Sequence, residues 1–291
     1  MSNLILVTGA SGKIGQEVVK QLATQGAQVR AFVHSPQNAA AIQGLDVEIT
    51  LGDLGQPETI KAALIGAEKL FLLSPLDPRL AEWEPNIIRA AQQAGVRHLV
   101  YLSGTNAQVD SPLLFNRLHG QSEVQLKNSG LAYTILRPDA LMQNMLAHAP
   151  TIVAQSACYA PFPEGKMSLV DCRDVAAVAV ASLTARGHEG MEYDITGPEA
   201  LSMIQVAEKL SAGLGKSVRC VELKLDQYRT GLKAARMPAW LIDYLVGVAQ
   251  YSATLKDNVI TTVVAKVAHK LPITFDQFVR DHASAFMGAA V

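Results

Sequence analysis

The sequence predicts an α/β fold, a doubly wound and mostly parallel sheet followed by a smaller, helix-rich C-terminal domain. Three observations carry this. The apolar run Leu4–Val7 stops abruptly at glycines spaced three apart, Gly9, Gly12 and Gly15. Short β-type apolar runs then recur with helical segments between them, the mark of right-handed βαβ units. From about residue 151 the order loosens, with Pro150, Pro161, Pro163 and Gly165 breaking any long element, and helical patterns dominate the rest of the chain.

The bulk properties fit one large domain with a companion: 291 residues, 49% of them hydrophobic, can bury a sizeable core. A net charge of −1, from 25 basic and 26 acidic residues, argues against a nucleic-acid or anionic-membrane partner. No apolar stretch of about eighteen residues occurs, so no membrane span is expected. The ordered pattern begins by Leu4, leaving no room for a signal peptide, and a cytoplasmic protein is expected. Cys158, Cys172 and Cys220 stand far apart without a neighbouring histidine at ligand spacing. They read as buried free thiols and not as a disulfide or metal site; no metal is expected.

Taken in order, a first strand ends at Val7, and a helix from about Lys13 to Gln25 carries apolar Ile14, Val18, Val19 and Leu22 on one face. Gln28–Val33 is the second strand, closed by Ser35 as a cap and Pro36 as a helix start. Asp46–Leu51 is the third, with a helix opening at Pro57. Lys69–Leu73 is the fourth, followed by Ser74-Pro75 and an alanine-rich helix over 80–94 that Gly95 stops. Val96–Leu102 is the fifth, ending in Ser103-Gly104-Thr105-Asn106, with a helix near 117–127 beyond it. Strand six lies within Gly130–Pro138. Helices are then expected over 171–186, 238–251 and 258–268, with capping-box starts at Ser202-x-x-Gln205 and Thr274-x-x-Gln277 and a short strand over 192–195. The domain boundary is placed at 150, with 1–150 the ligand-binding half and 151–291 the mixed region, of which 171–196 returns to pack on the sheet.

The glycine turn has a specific chemistry. Gly9 permits the sharp turn, Gly12 lets the main chain approach a pyrophosphate, and Gly15 lets the helix pack closely on the strand. With Ala10, Ser11, Lys13 and Ile14 they place helix amides and a positive dipole end against phosphates, the dinucleotide site of a Rossmann fold. Such a site for NAD carries an acid near the end of the second strand. Between Glu17 and Asp46 there is none, and His34 and Ser35 stand in its place with Lys13 nearby. A 2′-phosphate would meet donors there, so NADPH is expected over NADH; the plainer alternative leaves His34 a solvated strand-end residue. Asp53 sits beside the adenine or is a turn aspartate. Ser74, Ser103 and Asn106 should gather beyond the strand ends, where ligands bind. Met142 and Met145 could line a pocket or be plain core.

Thr8-Gly9-Ala10-Ser11-Gly12-Lys13-Ile14-Gly15, Gly52-Asp53, Leu102-Ser103-Gly104, and the run from His119 through Glu123, Leu126, Ser129-Gly130 and Tyr133-Thr134 to Leu136-Arg137-Pro138 resemble the NmrA-like branch of the atypical short-chain dehydrogenases/reductases. Pro272, Thr274, Phe275 and Phe278 extend the likeness towards the end of the chain. The resemblance implies dinucleotide contacts at Gly9 to Gly15, His34, Ser35, Asp53, Leu54, Ser74, Pro75, Ser103, His119 and Pro138. That branch includes NADPH-dependent quinone and triphenylmethane-dye reductases, and also regulators that bind the dinucleotide without reacting it. Many members carry an Arg where this chain has His34.

The wider superfamily uses a Tyr-x-x-x-Lys pair, yet none of the seven tyrosines has a lysine four residues on. Phe115 and His119 hold those places. Simple alcohol–ketone chemistry is therefore disfavoured, and an acceptor whose reduced form is already stabilised, such as a quinone, dye or enone, needs less acid help. The expected function is hydride transfer from NADPH to a conjugated, mostly apolar small molecule held on the side of the C-terminal domain. The alternative is a non-catalytic dinucleotide sensor acting through a protein partner; a homodimer is compatible with either. His119 is a ribose anchor, a proton donor or a residue without a role, and Ser103 is the other candidate for the proton.

Overall fold

The computed structural model describes residues 3–254 and 258–288, which fall into two compact units. The first comprises residues up to Pro138 together with Cys172–Ile195 and Val263–Lys270. Its sheet contains β1 (Ile5–Val7), β2 (Val29–Val33), β3 (Glu48–Leu51), β4 (Lys69–Leu72), β5 (His98–Leu102), β6 (Ala132–Pro138) and a seventh strand, Met191–Ile195. The order is β3-β2-β1-β4-β5-β6 and then Met191–Ile195, every pair parallel. The order reverses between β1 and β4, which makes the crevice beyond their carboxyl ends the place for a ligand.

The central strands are buried on both sides, which is why they read as continuous apolar runs: Leu6, Val7, Leu70, Phe71, Leu72, Leu99 and Val100 have no exposed surface. On one face α1 (Lys13–Thr24) packs beside the helix Cys172–Thr184; α3 (Pro57–Leu64), α4 (Leu80–Gln93) and α5 (Leu114–Lys127) pack in series as the other layer, and the short α2 (Pro36–Ala39) follows β2 with Ser35 as its cap. The α1 stripe Ile14, Val18, Val19 and Leu22 is buried as its spacing requires.

The second unit comprises Asp139–Asp171, Thr196–Thr262 and residues from Leu271 onward. It is built round a core that includes Met142, Ile152, Leu169, Val206, Phe275, Phe278 and Phe286. Ala157–Ala160 pairs in parallel with Arg219–Glu222, which sets Cys158 opposite Cys220 as free thiols. The capping box at Ser202 is formed, with both reciprocal bonds present, and opens the helix Met203–Leu214.

The structure differs from the sequence reading at several points. The units divide at Pro138 and not at 150, because the chain crosses back twice, at Cys172–Ile195 and Val263–Lys270. Order does not loosen at 151: Ala149–Gln155 is helical, and Pro150 sits in its first turn, where a missing N–H costs nothing. α5 begins at Leu114, three residues before the expected start. The helix expected over 258–268 is confined to Val263–Val267. The residues before it are held by other bonds, Ser168 Oγ donating to Val259 O at 3.0 Å and Thr261 N to Thr196 Oγ1 at 2.9 Å.

Candidate functional site

The crevice of the first unit is built from the turn that follows β1. Gly9 has φ +61°, a left-handed conformation, and a Cβ there would lie 2.7 Å from Leu73 Cγ and 2.8 Å from its carbonyl oxygen. A Cβ on Gly15 would lie 2.0 Å from Gly9 O, so the turn and the helix can approach only as glycines. Gly12 is different. It is exposed, its backbone is extended at φ −79°, and a Cβ would meet only Gly9 O at 3.3 Å. Packing asks for glycine at positions 9 and 15 and scarcely at 12. As the N-cap of α1, Gly12 also brings no side chain to the helix's opening amides. An uncapped helix start behind a main chain bared of side chains is a cradle for phosphate.

The neighbouring strand ends complete the edge. Ala10 and Ile14 are buried under the turn, Ser11 is half-buried, and Lys13 is exposed. His34 is exposed at the end of β2, and Ser35 Oγ accepts from Asn38 N at 3.3 Å as the cap of α2. After β3, Asp53 Oδ1 accepts from Gly55 N at 2.8 Å, an Asx turn, beside half-buried Leu54. After β4, Ser74 Oγ is buried without a hydrogen-bond partner among the described residues, and Pro75 is exposed. After β5, Ser103 Oγ donates to Glu123 Oε1 at 2.6 Å, and Asn106 is exposed with φ +58°. Pro138 ends β6 and accepts from Thr105 N at 3.1 Å.

His119 lies on α5 with its ring against the loop after β5, where a side chain placed on Gly104 would touch His119 Cδ2 at 3.7 Å. Its Nδ1 is 2.7 Å from Tyr101 Oη. Burial pushes the imidazole down to about 4, against the pull of Glu123, so the ring is neutral at pH 7. A neutral ring of this kind is not a cationic acid at pH 7. Met142 and Met145 belong to the core of the second unit, where Met142 has no exposed surface at all. They pack there as core residues and offer no pocket wall.

Sequence reasoning assigned no role to the groups behind the edge. Arg137 donates to both oxygens of Glu123, at 2.8 and 2.5 Å, and to Glu192 at 2.5 Å. The pair of carboxylates holds Arg137 above its ordinary range, Glu123 foremost. Tyr101 is fully buried and donates to Glu84 Oε2 at 2.7 Å. The signal available in sequence was the charge itself: a glutamate and a tyrosine at positions whose period demands burial.

A family model described as NAD(P)H-binding matches residues 9–186, beginning at the first glycine of the turn. The chain belongs to this family. It is 39% identical to the NAD(P)H azoreductase of Xenophilus azovorans, covering 99% of this chain and 100% of that protein. It is 35% identical to the (4-alkanoyl-5-oxo-2,5-dihydrofuran-3-yl)methyl phosphate reductase of Streptomyces griseus, covering 97% and 99%. Among solved structures, the NADPH complex of an NADPH-dependent quinone oxidoreductase from Escherichia coli superposes with a TM-score of 0.83 at 29% identity, covering 95% of this chain and 99% of that one. The resemblance read from the motifs and the doubly wound fold are both borne out. No described helix is long and apolar enough to cross a membrane.

Proposed function

We propose that this chain is an NADPH-dependent reductase of conjugated, mostly apolar small molecules of the quinone, dye or enone type. The observation that carries the reading is Gly12, a glycine that packing demands far less than it does Gly9 and Gly15, at the mouth of an uncapped helix. When bound, NADPH supplies the hydride. The turn Gly9–Gly15 would hold its pyrophosphate, and Lys13, His34 and Ser35 would face the 2′-phosphate with donors and no acid. Asp53, Leu54, Ser74 and Pro75 follow the neighbouring strand ends, and Ser103, His119 and Pro138 follow the ends of β5 and β6 or lie beside them, where the nicotinamide half would rest.

The acceptor class is supported from two directions. The relatives are named for an azo compound, an oxo-dihydrofuran and a quinone. Within the chain, the position of the superfamily lysine holds a neutral histidine, and the Ser103 proton is committed to Glu123. Neither presents a cationic acid, and an acceptor with a stabilised reduced form has least need of one. On the same reading the enzyme works in the cytoplasm on a small molecule; a net charge of −1 speaks against a nucleic-acid partner. The test is NADPH oxidation by purified protein against a panel of quinones, azo and triphenylmethane dyes, and enones. Turnover of at least one class is expected; tight NADPH binding with no turnover of any would leave a dinucleotide sensor instead.

A further inference from the structure

Glu84 is a carboxyl on α4 with no exposed surface, and dinucleotide binding leaves it without a part. Its Oε2 is 2.7 Å from Tyr101 Oη on β5, and that oxygen is 2.7 Å from His119 Nδ1 on α5. The histidine ring is half-buried, and its Cδ2 edge faces Gly104 at the ligand end of the sheet. Nε2, bonded to Cδ2 in the ring, takes no hydrogen-bond partner among the described residues. An unbroken line therefore runs from a sealed carboxyl to the edge where the acceptor is reduced.

We propose that Glu84, Tyr101 and His119 form a proton relay that delivers the Glu84 proton through His119 Nε2 to the acceptor once it has taken hydride, an inference that rests on the reductase reading. With Glu84 protonated, its O–H donates to Tyr101 Oη, the Tyr101 O–H donates to His119 Nδ1, and the ring carries its proton on Nε2. A quinone that has accepted hydride is a monoanion and takes that Nε2 proton. In the same step the Tyr101 proton moves to Nδ1 and the Glu84 proton to Tyr101 Oη, so one proton leaves and one carboxylate appears. The Tyr101 O–H bond then points back at Glu84, and Nε2 is a lone-pair acceptor ready to be reloaded from water. The imidazole is neutral before and after, which reconciles a proton-donating role with a ring that burial holds out of its cationic form.

The surroundings suit a store that fills and empties near neutrality. Burial raises Glu84 to about 7, outweighing the hydroxyls of Ser122 and Tyr101 that favour its charged form. Tyr101 is raised well above its ordinary range by burial and by Glu84, so no tyrosinate competes. The other charge facing the line is Glu123, one residue beyond Ser122 on α5, and Arg137 pairs with it at 2.5 Å.

The relay has a signature that needs neither cofactor nor acceptor. In ¹⁵N-labelled protein, the His119 ring nitrogens should exchange N–H and lone-pair character with one transition between about pH 5 and 8, without imidazolium shifts. Glu84→Gln and the isosteric Tyr101→Phe should each abolish the exchange. Tyr101→Phe should also lower kcat by roughly 10²-fold with KM for NADPH unchanged, and flatten a profile that falls as pH rises through neutrality. A ring fixed in one tautomer, or titrating as an imidazolium unaffected by Glu84→Gln, would overturn the relay while leaving the reductase reading intact. Tautomer exchange in a protein that turns over no acceptor would instead sink the reductase reading and the donor role with it.

Discussion

Thr8 Oγ1 lies 2.9 Å from both the amide nitrogen and the carbonyl oxygen of Leu73, accepting from the first and donating to the second. Thr8 is fully buried at the end of β1, and Leu73 follows β4, so the two bonds clasp the strand ends that flank the crevice. Thr8→Val keeps the shape and removes the hydroxyl, leaving the Leu73 amide unpaired. A loss of about 1–3 kcal/mol in urea unfolding is expected, with weakened dinucleotide binding because Gly9 packs against the same Leu73. Unchanged stability and affinity would show that the clasp is incidental.

The glycines of the turn should separate under substitution. Gly12→Val places a branched side chain where only Gly9 O stands near, at 3.3 Å, on a backbone that valine adopts, so the protein should fold and fail to bind NADPH. Gly15→Ala meets Gly9 O at 2.0 Å and should compromise folding itself. Circular dichroism and fluorescence titration distinguish the two; a folded Gly12→Val protein with full affinity would move the site elsewhere.

Cofactor choice should follow the missing acid at the end of β2. One charge-assisted contact to the 2′-phosphate is worth roughly 1.5–3 kcal/mol, so NADPH should bind at least about tenfold more tightly than NADH. His34→Asp should shrink the ratio. Equal dissociation constants in the unaltered protein would count against Lys13, His34 and Ser35 as the discriminating residues.

Glu84 should leave a mark on stability against pH. Its folded pKa, about 7, lies above the ordinary 4.5, so the folded state holds a proton that the unfolded state has lost between those values. The stabilisation from that proton is complete below pH 4.5 and lost as pH rises through 7. His119 runs the other way: lowered from 6.5 to about 4, it adds stability as pH rises over that interval. In the unaltered protein the two slopes oppose each other. Glu84→Gln removes one, so the stability of the variant relative to its parent should climb by roughly 3 kcal/mol from acid to neutral pH. A difference independent of pH would mean that Glu84 is charged when buried.

Arg137→Met strips the cationic partner from Glu123, whose side chain is 5% exposed, and leaves a buried carboxylate with, among the described residues, only the Ser103 hydroxyl donating to it. A destabilisation of about 3–5 kcal/mol is expected from denaturant unfolding, against about 1 kcal/mol or less for an exposed pair such as Lys61 with Glu58. Equal effects at the two sites would show that the Arg137 pair is solvated.

The strands of the first unit and the glycine turn were legible because burial on both faces and a fixed backbone path write themselves into consecutive residues. The run Leu4–Val7 and the spacing of Gly9, Gly12 and Gly15 need no tertiary knowledge to read. The line from Glu84 through Tyr101 to His119 was not legible, since its members are separated by 17 and 18 positions and meet only when α4 and α5 pack on β5. Met142 and Met145 were ambiguous for the same kind of reason: an apolar side chain suits a pocket wall and a core equally. The unit boundary was placed at 150 although a return over 171–196 was read from the sequence, because nothing local to Pro138 marks the division and nothing local to Val263 announces a second return.

The unequal demands on the three glycines bear on how a chain of this kind could lose its ligand. Gly9 and Gly15 are held by contacts inside the protein, so a lineage that abandoned dinucleotide binding would still be selected to keep them. Gly12, on the proposed reading, answers to the dinucleotide. Released from that, it would be free to drift to a residue with a better cap for α1, such as Ser or Asp, and the fold would gain from the change. On the proposed reading, a glycine at this one position is kept by the dinucleotide and not by the fold.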